Sequence, residues 1–396
     1  MGAGGVISGA KPMDETREEL LSLLVLARLP GVGDCTMARL VAHFGCGRAA
    51  LRASPDRFMV VAGKKATAAR RSACDRAGAE AILVESERLG LEVVSIGSPG
   101  YPSELLNLTD PPPVLFLRGR RDLLYRPAVA IVGVRRATET GRRMAERIAA
   151  VLARCGTVVV SGMARGIDGA AHRGALAAGG DTVAVLGCGA YVAYPTSNRK
   201  LHRDIGRDGL LVTEFEPGEG ALPHHFPKRN RIIAALARAV IVVEAGRRSG
   251  ALITVEHALD LGRDVFAVPG SVESEASRGT NALLRDGARI LPSPEAIVQE
   301  LEWLAELDGG DLDESAALLA GNSYPGDSRG DAGTLWEALS WAPLHLDDLA
   351  RKASIDPARA MTTLTLMELD GWVSQMPGMR FCRVGAERFS AGRPLG

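Results

Sequence analysis

The chain of 396 residues carries 47 Lys and Arg against 47 Asp and Glu, so its overall charge announces no polyanionic partner. Hydrophobic residues make up 46% and charged residues 24%, ordinary globular values in a chain of two or three domains at about 150 residues each. No apolar run approaches the roughly 18 residues of a membrane span, and residues 1–14 are Gly-rich without an apolar leader core, so a cytoplasmic protein without a membrane partner is expected.

Residues 1–15 offer little to bury and are expected to be disordered. Over residues 16–90 the pattern is all-helical: a helix at 18–27, a Gly-bearing turn Leu29-Pro30-Gly31-Val32-Gly33, a helix from Thr36 to Phe44, then helices broken by Gly and Pro. The first two helices resemble a helix-hairpin-helix unit. Such a hairpin offers backbone N–H groups to a DNA phosphate, yet the helix after it has only Arg39 and His43, so a packing role competes with direct DNA contact.

Residues 91–306 form the main domain. Two short β runs, 93–96 and 114–117, flank Asp110-Pro111-Pro112-Pro113, where three prolines forbid a helix; they are expected to add edge strands to the sheet that follows. From residue 128 strands and helices alternate: strands at 128–133, 157–161, 182–187, 210–214, 239–244 and 264–268, helices at 138–155, 166–178, 197–206, 228–237, 251–262 and about 280–287. Such alternation requires parallel pairing and right-handed crossovers, hence an α/β fold with a central doubly wound, Rossmann-like sheet and a site at the strands' carboxyl ends.

A helix at 292–306 closes this domain, and the polar stretch 307–332 reads as a linker. Residues 333–388 spell three helices and a β-hairpin, the order of a winged helix. Its third helix, 357–370, offers Arg359 followed by Thr362, Thr363, Thr365, Glu368 and Asp370, which argues against base-specific readout. Six cysteines (Cys35, Cys46, Cys74, Cys155, Cys188, Cys382) lack any Cys-x-x-Cys pair, so reduced thiols and no metal are expected.

The chemistry centres on Thr-Val-Val-Val-Ser-Gly-Met-Ala-Arg-Gly-Ile-Asp-Gly-Ala-Ala-His at 157–172. A strand ends in Ser161-Gly162, and a helix opening at Gly166 aims free N–H groups above it, a phosphate-binding arrangement. A dinucleotide fingerprint is missing, because Gly133-Val134-Arg135-Arg136-Ala137 follows the first strand and Gly187-Cys188-Gly189 lacks its third glycine; no P-loop occurs either, and no cofactor is expected. The strand ends instead carry Arg135, Ser161, Gly162, Arg165, Gly166, Asn198, Arg199, Lys200, Lys228, Arg229, Asn230, Arg231, Ser249 and Gly250. With Ile232, Ile233 and Leu236 on the core stripe of their helix, Arg229 and Arg231 are expected to face solvent or a ligand. Several helix N-termini with Arg and Lys around them suit a string of phosphates, and Tyr194 and Phe226 supply stacking faces for unpaired bases.

These motifs, continued by Phe-Pro-Lys-Arg-Asn-Arg-Ile-Ile at 226–233, Ser-Gly-Ala-Leu-Ile-Thr-Val-Glu-His-Ala-Leu at 249–259 and Ser-Arg-Gly-Thr-Asn-Ala-Leu-Leu-Arg-Asp-Gly-Ala at 277–288, resemble the DprA/Smf DNA-processing proteins throughout residues 128–291. The resemblance implies a non-catalytic homodimer that binds and protects single-stranded DNA and promotes loading of the RecA recombinase in natural transformation, with DNA contacts at Arg135, Ser161-Gly162, Lys200 and 228–231. It also implies a sterile-alpha-motif-like N-terminal domain, a C-terminal winged helix and dimerisation through 281–288. Val134 stands where the family's first motif has Ser, a lost hydroxyl expected to weaken binding.

Asp168 and Glu244 have the positions of an acid or base, but each is better read as orienting an Arg or capping a helix. His172, His224 and His225 are assigned no chemistry. An alternative enzyme, a nucleoside-monophosphate phosphoribohydrolase, would use Arg135 or Arg165 with Glu256, but the paired glycines and proline of that motif are absent. A regulatory scaffold acting through the winged helix is the third reading.

Overall fold

The computed structural model describes residues 12–72, 74–301, 303, 330–339, 344–370, 372–376 and 378–383. It divides into two compact units, the first up to Gly309 and the second from Gly310. The expected linker falls almost wholly outside the described residues, as do residues 1–11 of the expected disordered segment, most of the end of the 292–306 helix, and residues 384–388 of the winged helix.

Five helices open the first unit: α1 (Pro12–Ala27), α2 (Asp34–Phe44), α3 (Gly47–Arg52), α4 (Pro55–Ser72) and α5 (Arg76–Arg88). Residues 12–15, expected to be disordered, belong to α1. Gly31 makes the hairpin with φ +95°, and α4 is kinked at Gly63, φ +82°; both values favour glycine. The helices close over Leu23, Leu26, Met37, Leu40 and Phe58, and their core continues into Val114 and Phe116 of the sheet. The helical segment is therefore bonded to the sheet edge by a shared core.

The sheet has nine strands, β1 (Glu92–Ser95), β2 (Val114–Gly119), β3 (Ala128–Val132), β4 (Val158–Ser161), β5 (Thr182–Val185), β6 (Leu210–Thr213), β7 (Ala239–Val242), β8 (Asp264–Ala267) and β9 (Arg289–Ile290), in spatial order 1-2-6-5-4-3-7-8-9. From β6 to β9 all neighbours pair in parallel, whereas β1 and β2 form the expected edge strands, and they pair antiparallel. The two-residue strand β9 was not foreseen, because a pair ending in Arg289-Ile290 carries no alternation.

Helices α6 (Glu139–Arg154), α7 (Ile167–Ala177), α8 (Arg199–Asp208), α9 (His225–Leu236), α10 (Ala251–Asp260), α11 (Arg278–Arg285) and α12 (Ala296–Glu300) complete the unit. Strand alternation assigns the two faces: Val129 and Ile131 of β3 point into the α6, α7 and α12 layer, and Ala128, Ala130 and Val132 into the α9 and α10 layer. All five are buried, the signature of a parallel sheet covered on both sides.

The second unit packs α13 (Asp331–Ala338), α14 (Leu346–Ala353) and α15 (Pro357–Leu369) against a sheet of β10 (Leu344–His345), β12 (Arg380–Arg383) and β11 (Val373–Met376), in that spatial order. The expected hairpin gains β10 as a third strand. Arg359 is tied to Asp331 at 2.6 Å, and the hydroxyls of Thr362, Thr363 and Thr365 donate to carbonyls one turn back, so the third helix presents no free cation to a groove.

Helices α6 and α7 approach so closely that a Cβ on Gly174 would lie 2.2 Å from the Glu146 carbonyl oxygen. Gly174→Ala should therefore destabilise the first unit by about 1–3 kcal/mol through overpacking, outweighing alanine's better helix propensity. Urea unfolding checks this, and an unchanged or higher midpoint would mean that the two helices part freely.

Candidate nucleic-acid interface

The carboxyl ends of the parallel strands lie along one rim, and the chain reverses its winding between β3 and β7, which opens a crevice there. Glycines lace the loops on either side. Val134 N donates to Glu244 O at 2.9 Å and Ile167 N to Val134 O at 3.3 Å. Gly166 has φ +77°, and a Cβ on it would lie 2.3 Å from Val134 O, so the loops after β3 and β4 meet only because the residue has no side chain. The Val134 side chain packs on the α6–α7 core, with both backbone groups satisfied.

Two loops and the first turn of α9 bring an aromatic and cationic stack together. The exposed Arg135 guanidinium lies 4.8 Å from the Phe226 ring centroid, and Phe226 is 5.4 Å from Tyr194 at a 35° tilt. Tyr194 is 42% exposed, leaving much of its surface open, and the peptide bond to Pro195 is cis. Asn198 Nδ2 donates to the carbonyls of Met163 (2.9 Å) and Ala164 (3.2 Å). It thereby holds Met163, a buried non-glycine residue at φ +61°, in a left-handed conformation that costs of order 1–3 kcal/mol.

Arg165 and Lys200 are exposed and make no ion pair among the described residues. The same is true of Arg136 and Arg199 beside them, and of Arg247 and Arg248 after β7. Arg247 and Arg248 were passed over in the sequence, although their place two turns of chain beyond a parallel strand's end was the available signal. Asn230 Nδ2 donates to Gly250 O at 3.2 Å, and Ser249 Oγ accepts from Ala251 N at 3.3 Å, so Ser249 caps α10 and Gly250 is exposed beside it.

Three of the expected contact side chains, Ser161, Arg229 and Arg231, are buried. Ser161 is wholly buried and its hydroxyl donates to Ile131 O at 2.6 Å, so it faces the sheet. Arg229 is 3% exposed, donates to Val185 O, and presses so tightly on Gly162 that a Cβ there would lie 2.2 Å from Nη1. Its position follows from the helical period, since 229, 232, 233 and 236 share one face and that face is the core. Burial pushes its pKa down to about 10, opposed by nearby Asp168, and its Nε has no hydrogen-bond partner among the described residues.

Arg231 is 2% exposed and lies 2.7 Å from Glu214, 3.1 Å from Asp110 and 3.7 Å from Asp34; Lys228 reaches Asp34 at 2.8 Å and Glu214 at 3.2 Å. Both cations are thus held by carboxylates at the seam between α9, the proline connector and the start of α2. Neither Arg229 nor Arg231 faces solvent, contrary to expectation.

The carboxylates at the crevice are structural. Glu244 accepts from both Thr138 N, at 3.0 Å, and the Thr138 hydroxyl, fixing the start of α6. Asp168 accepts from Ala164 N at 3.3 Å, and burial raises its pKa against the pull of Arg229. Among the described residues no group of three or more His, Cys, Asp or Glu is placed to hold a metal ion.

A doubly wound sheet with a glycine-laced rim of exposed cations, joined in one chain to a helical segment and a winged-helix unit, defines the class as a multidomain α/β protein. Comparison with known proteins is more specific. Family models match in the same order: the DprA-like N-terminal HHH domain at residues 17–81, DNA recombination-mediator protein A at 92–302, just over half of the chain, and the DprA winged helix domain at 324–379. The DNA processing protein DprA of Streptococcus pneumoniae is 47% identical over 203 residues, 51% of this chain and 72% of that protein. Protein Smf of Synechocystis is 33% identical over 390 residues, 91% of this chain and 98% of its own length. The X-ray structure of the Streptococcus pneumoniae protein matches with a TM-score of 0.64 at 36% identity, covering 72% of this chain and 98% of that one. The chain belongs to the DprA/Smf family of DNA-processing proteins. No helix among the described residues is long and apolar enough to cross a membrane.

Buried His172 makes a 2.7 Å contact from Nδ1 to the Thr182 hydroxyl, whose own proton goes to Val159 O, so Nδ1 carries the imidazole proton. Burial, with Arg229 and Arg173 near, lowers its pKa to about 3. Between pH 3 and 6.5 the unfolded state binds a proton that the folded state refuses, so stability falls as pH drops through that window. At pH 5 the loss is about 2 kcal/mol. Denaturant unfolding of wild type and His172→Leu from pH 7 to 5 should show the difference between them shrinking by roughly that amount; parallel curves would refute it.

Proposed function

We propose that the rim holds single-stranded DNA without turning it over. The observation that carries this reading is the Arg135–Phe226–Tyr194 stack, a cation and an open aromatic face side by side among exposed, unpaired Arg165, Arg199 and Lys200. Such a surface supplies charge for successive phosphates and π faces for unpaired bases, and reads no sequence. Arg229, Arg231 and Ser161 act beneath it: Arg229 supports Gly162, and Arg231 locks α9 to the connector and α2. Bound strand is shielded and handed to a RecA-type recombinase during recombination of incoming DNA, as the family resemblance implies. The phosphoribohydrolase alternative finds no support, since Glu256 is exposed on α10 and makes no hydrogen bond or ion pair to a rim residue.

A homodimer formed through 281–288 belongs to the same reading. Next to α11 the terminal strand β9 leaves Ile290 52% exposed, and Val272 in the loop after β8 is 83% exposed.

Fluorescence anisotropy with oligothymidine should show binding whose log affinity falls with log salt by about 0.7 per phosphate neutralised. Arg135→Ala with Lys200→Ala should weaken binding and shallow that slope by about 0.7 for each cation in contact, whereas Tyr194→Ala should cost about 1–3 kcal/mol at every salt concentration. Unchanged binding in both variants would move the strand off the rim. Sedimentation of the wild type should give a dimer that Ile290→Asp converts to monomer; a monomeric wild type would remove the dimer from the proposal.

A further inference from the structure

Charge in the helical segment is sharply divided. Residues 36–72 hold eight Lys and Arg against a single acid, Asp56. On the neighbouring helices α1 and α5 the opposite holds, and cations there are paired: Arg17 with Glu87, Arg76 with Glu18 and Glu80, Arg88 with Glu85. Within α2–α4, Arg70 is spent on structure, donating to the carbonyls of Ala50, Leu51 and Ala53 at the end of α3 and lying over Phe58. Arg48, Arg52, Arg57, Lys64, Lys65 and Arg71 make no ion pair among the described residues, and all but the half-buried Arg48 are exposed. Arg48 and Arg52 share a face of α3 at a spacing of one turn, and Lys64 and Arg71 share a face of α4 at two turns. Arg70 clamps those two helices together, and Arg57 rests over Phe44 at the end of α2, 5.6 Å from its ring centroid. The unpaired cations are thus mounted on one packed layer.

We propose that α2–α4 form a second nucleic-acid surface, distinct from the rim, that takes the phosphate backbone of duplex DNA. The chemistry selects the ligand. This layer has little stacking surface: Phe58 is buried, Phe44 is half-buried beneath Arg57, residues 36–72 contain no Tyr or Trp, and the one exposed ring is His43, set edge-on against Phe44. Unpaired bases therefore gain little here, whereas a duplex presents one charge per about 1.7 Å of axis to a layer of point charges. The hairpin itself is not the contact: Asp34 at its exit is engaged by Lys228, and Lys65 packs over Gly31. That same Asp34–Lys228 pair joins the start of α2 to α9, whose Phe226 belongs to the rim stack. DNA with a junction between duplex and single strand would engage both.

The test is anisotropy with the full chain on a blunt duplex and, separately, on oligothymidine. Arg52→Ala with Lys64→Ala and Arg71→Ala should weaken duplex binding roughly tenfold or more at low salt and lower its salt slope by about 0.9 for each cation in contact, leaving oligothymidine affinity unchanged. The charge-keeping set Arg52→Lys, Lys64→Arg and Arg71→Lys should retain duplex binding, which separates lost charge from lost fold. Arg135→Ala with Lys200→Ala should do the reverse of the first set. Duplex binding that survives the alanine set, a wild type that ignores duplex at low salt, or equal loss on both ligands would overturn the proposal. So would binding to anionic phosphatidylglycerol vesicles that is as tight as to duplex and equally lost in the alanine set, since the layer would then be a membrane surface.

Discussion

Burial of α9 on more than one side is the constraint from which the rest of the site follows. The helix crosses from β6 to β7, so its apolar residues Ile232, Ile233 and Leu236 must cover the sheet, while its outer side is covered by the proline connector and the start of α2. A helix enclosed in this way draws its cations into the fold. Arg229 accordingly lies against Gly162 with Asp168 near, and Arg231 takes three carboxylates from three different segments. Removing one member of such a buried set strands the others, so the network fixes how the helical segment, connector and sheet meet more than it adds to stability.

The rim thereby separates two populations of basic residue that look alike in sequence. Those on α9 are consumed internally. Those on the loops after β3 and β4 and on the first turn of α8 make no ion pair among the described residues. A polyanion binder needs this separation, because a cation already paired in the folded state must lose that partner before it gains a phosphate. The aromatic pair lies at the boundary, with Phe226 on the first turn of α9 and Tyr194 on the loop after β5.

Much of this was legible in the order of elements. Short β-rich runs between amphipathic helices gave every parallel strand from β3 to β8 to within two residues, and the pair β1–β2 around the prolines was expected as edge strands. What escaped was decided by tertiary contact. Arg231 looks solvent-facing because its helix has an obvious apolar stripe elsewhere; only the arrival of Asp34 and Asp110, distant in sequence, buries it. Arg229 was a different error, for its spacing to Ile232, Ile233 and Leu236 already placed it on the core stripe, and its charge concealed that register. The short strands β9 and β10 offer too few residues for any period to show.

Val134 illustrates how a departure from a family motif acquires meaning only in three dimensions. A hydroxyl at this position reads, in sequence, as a phosphate donor, and its loss as a weaker site. In the fold the side chain packs on the α6–α7 core, while the N–H and C=O join Glu244 and Ile167. The β3–α6 loop is thus held by its backbone and by Gly166, and Arg135 projects from a rigid base whichever small side chain precedes it. A partly buried β-branched residue gains from that packing what a hydroxyl would have to recover through a hydrogen bond, so on the proposed reading the affinity of the rim rests on Arg135 and its aromatic support.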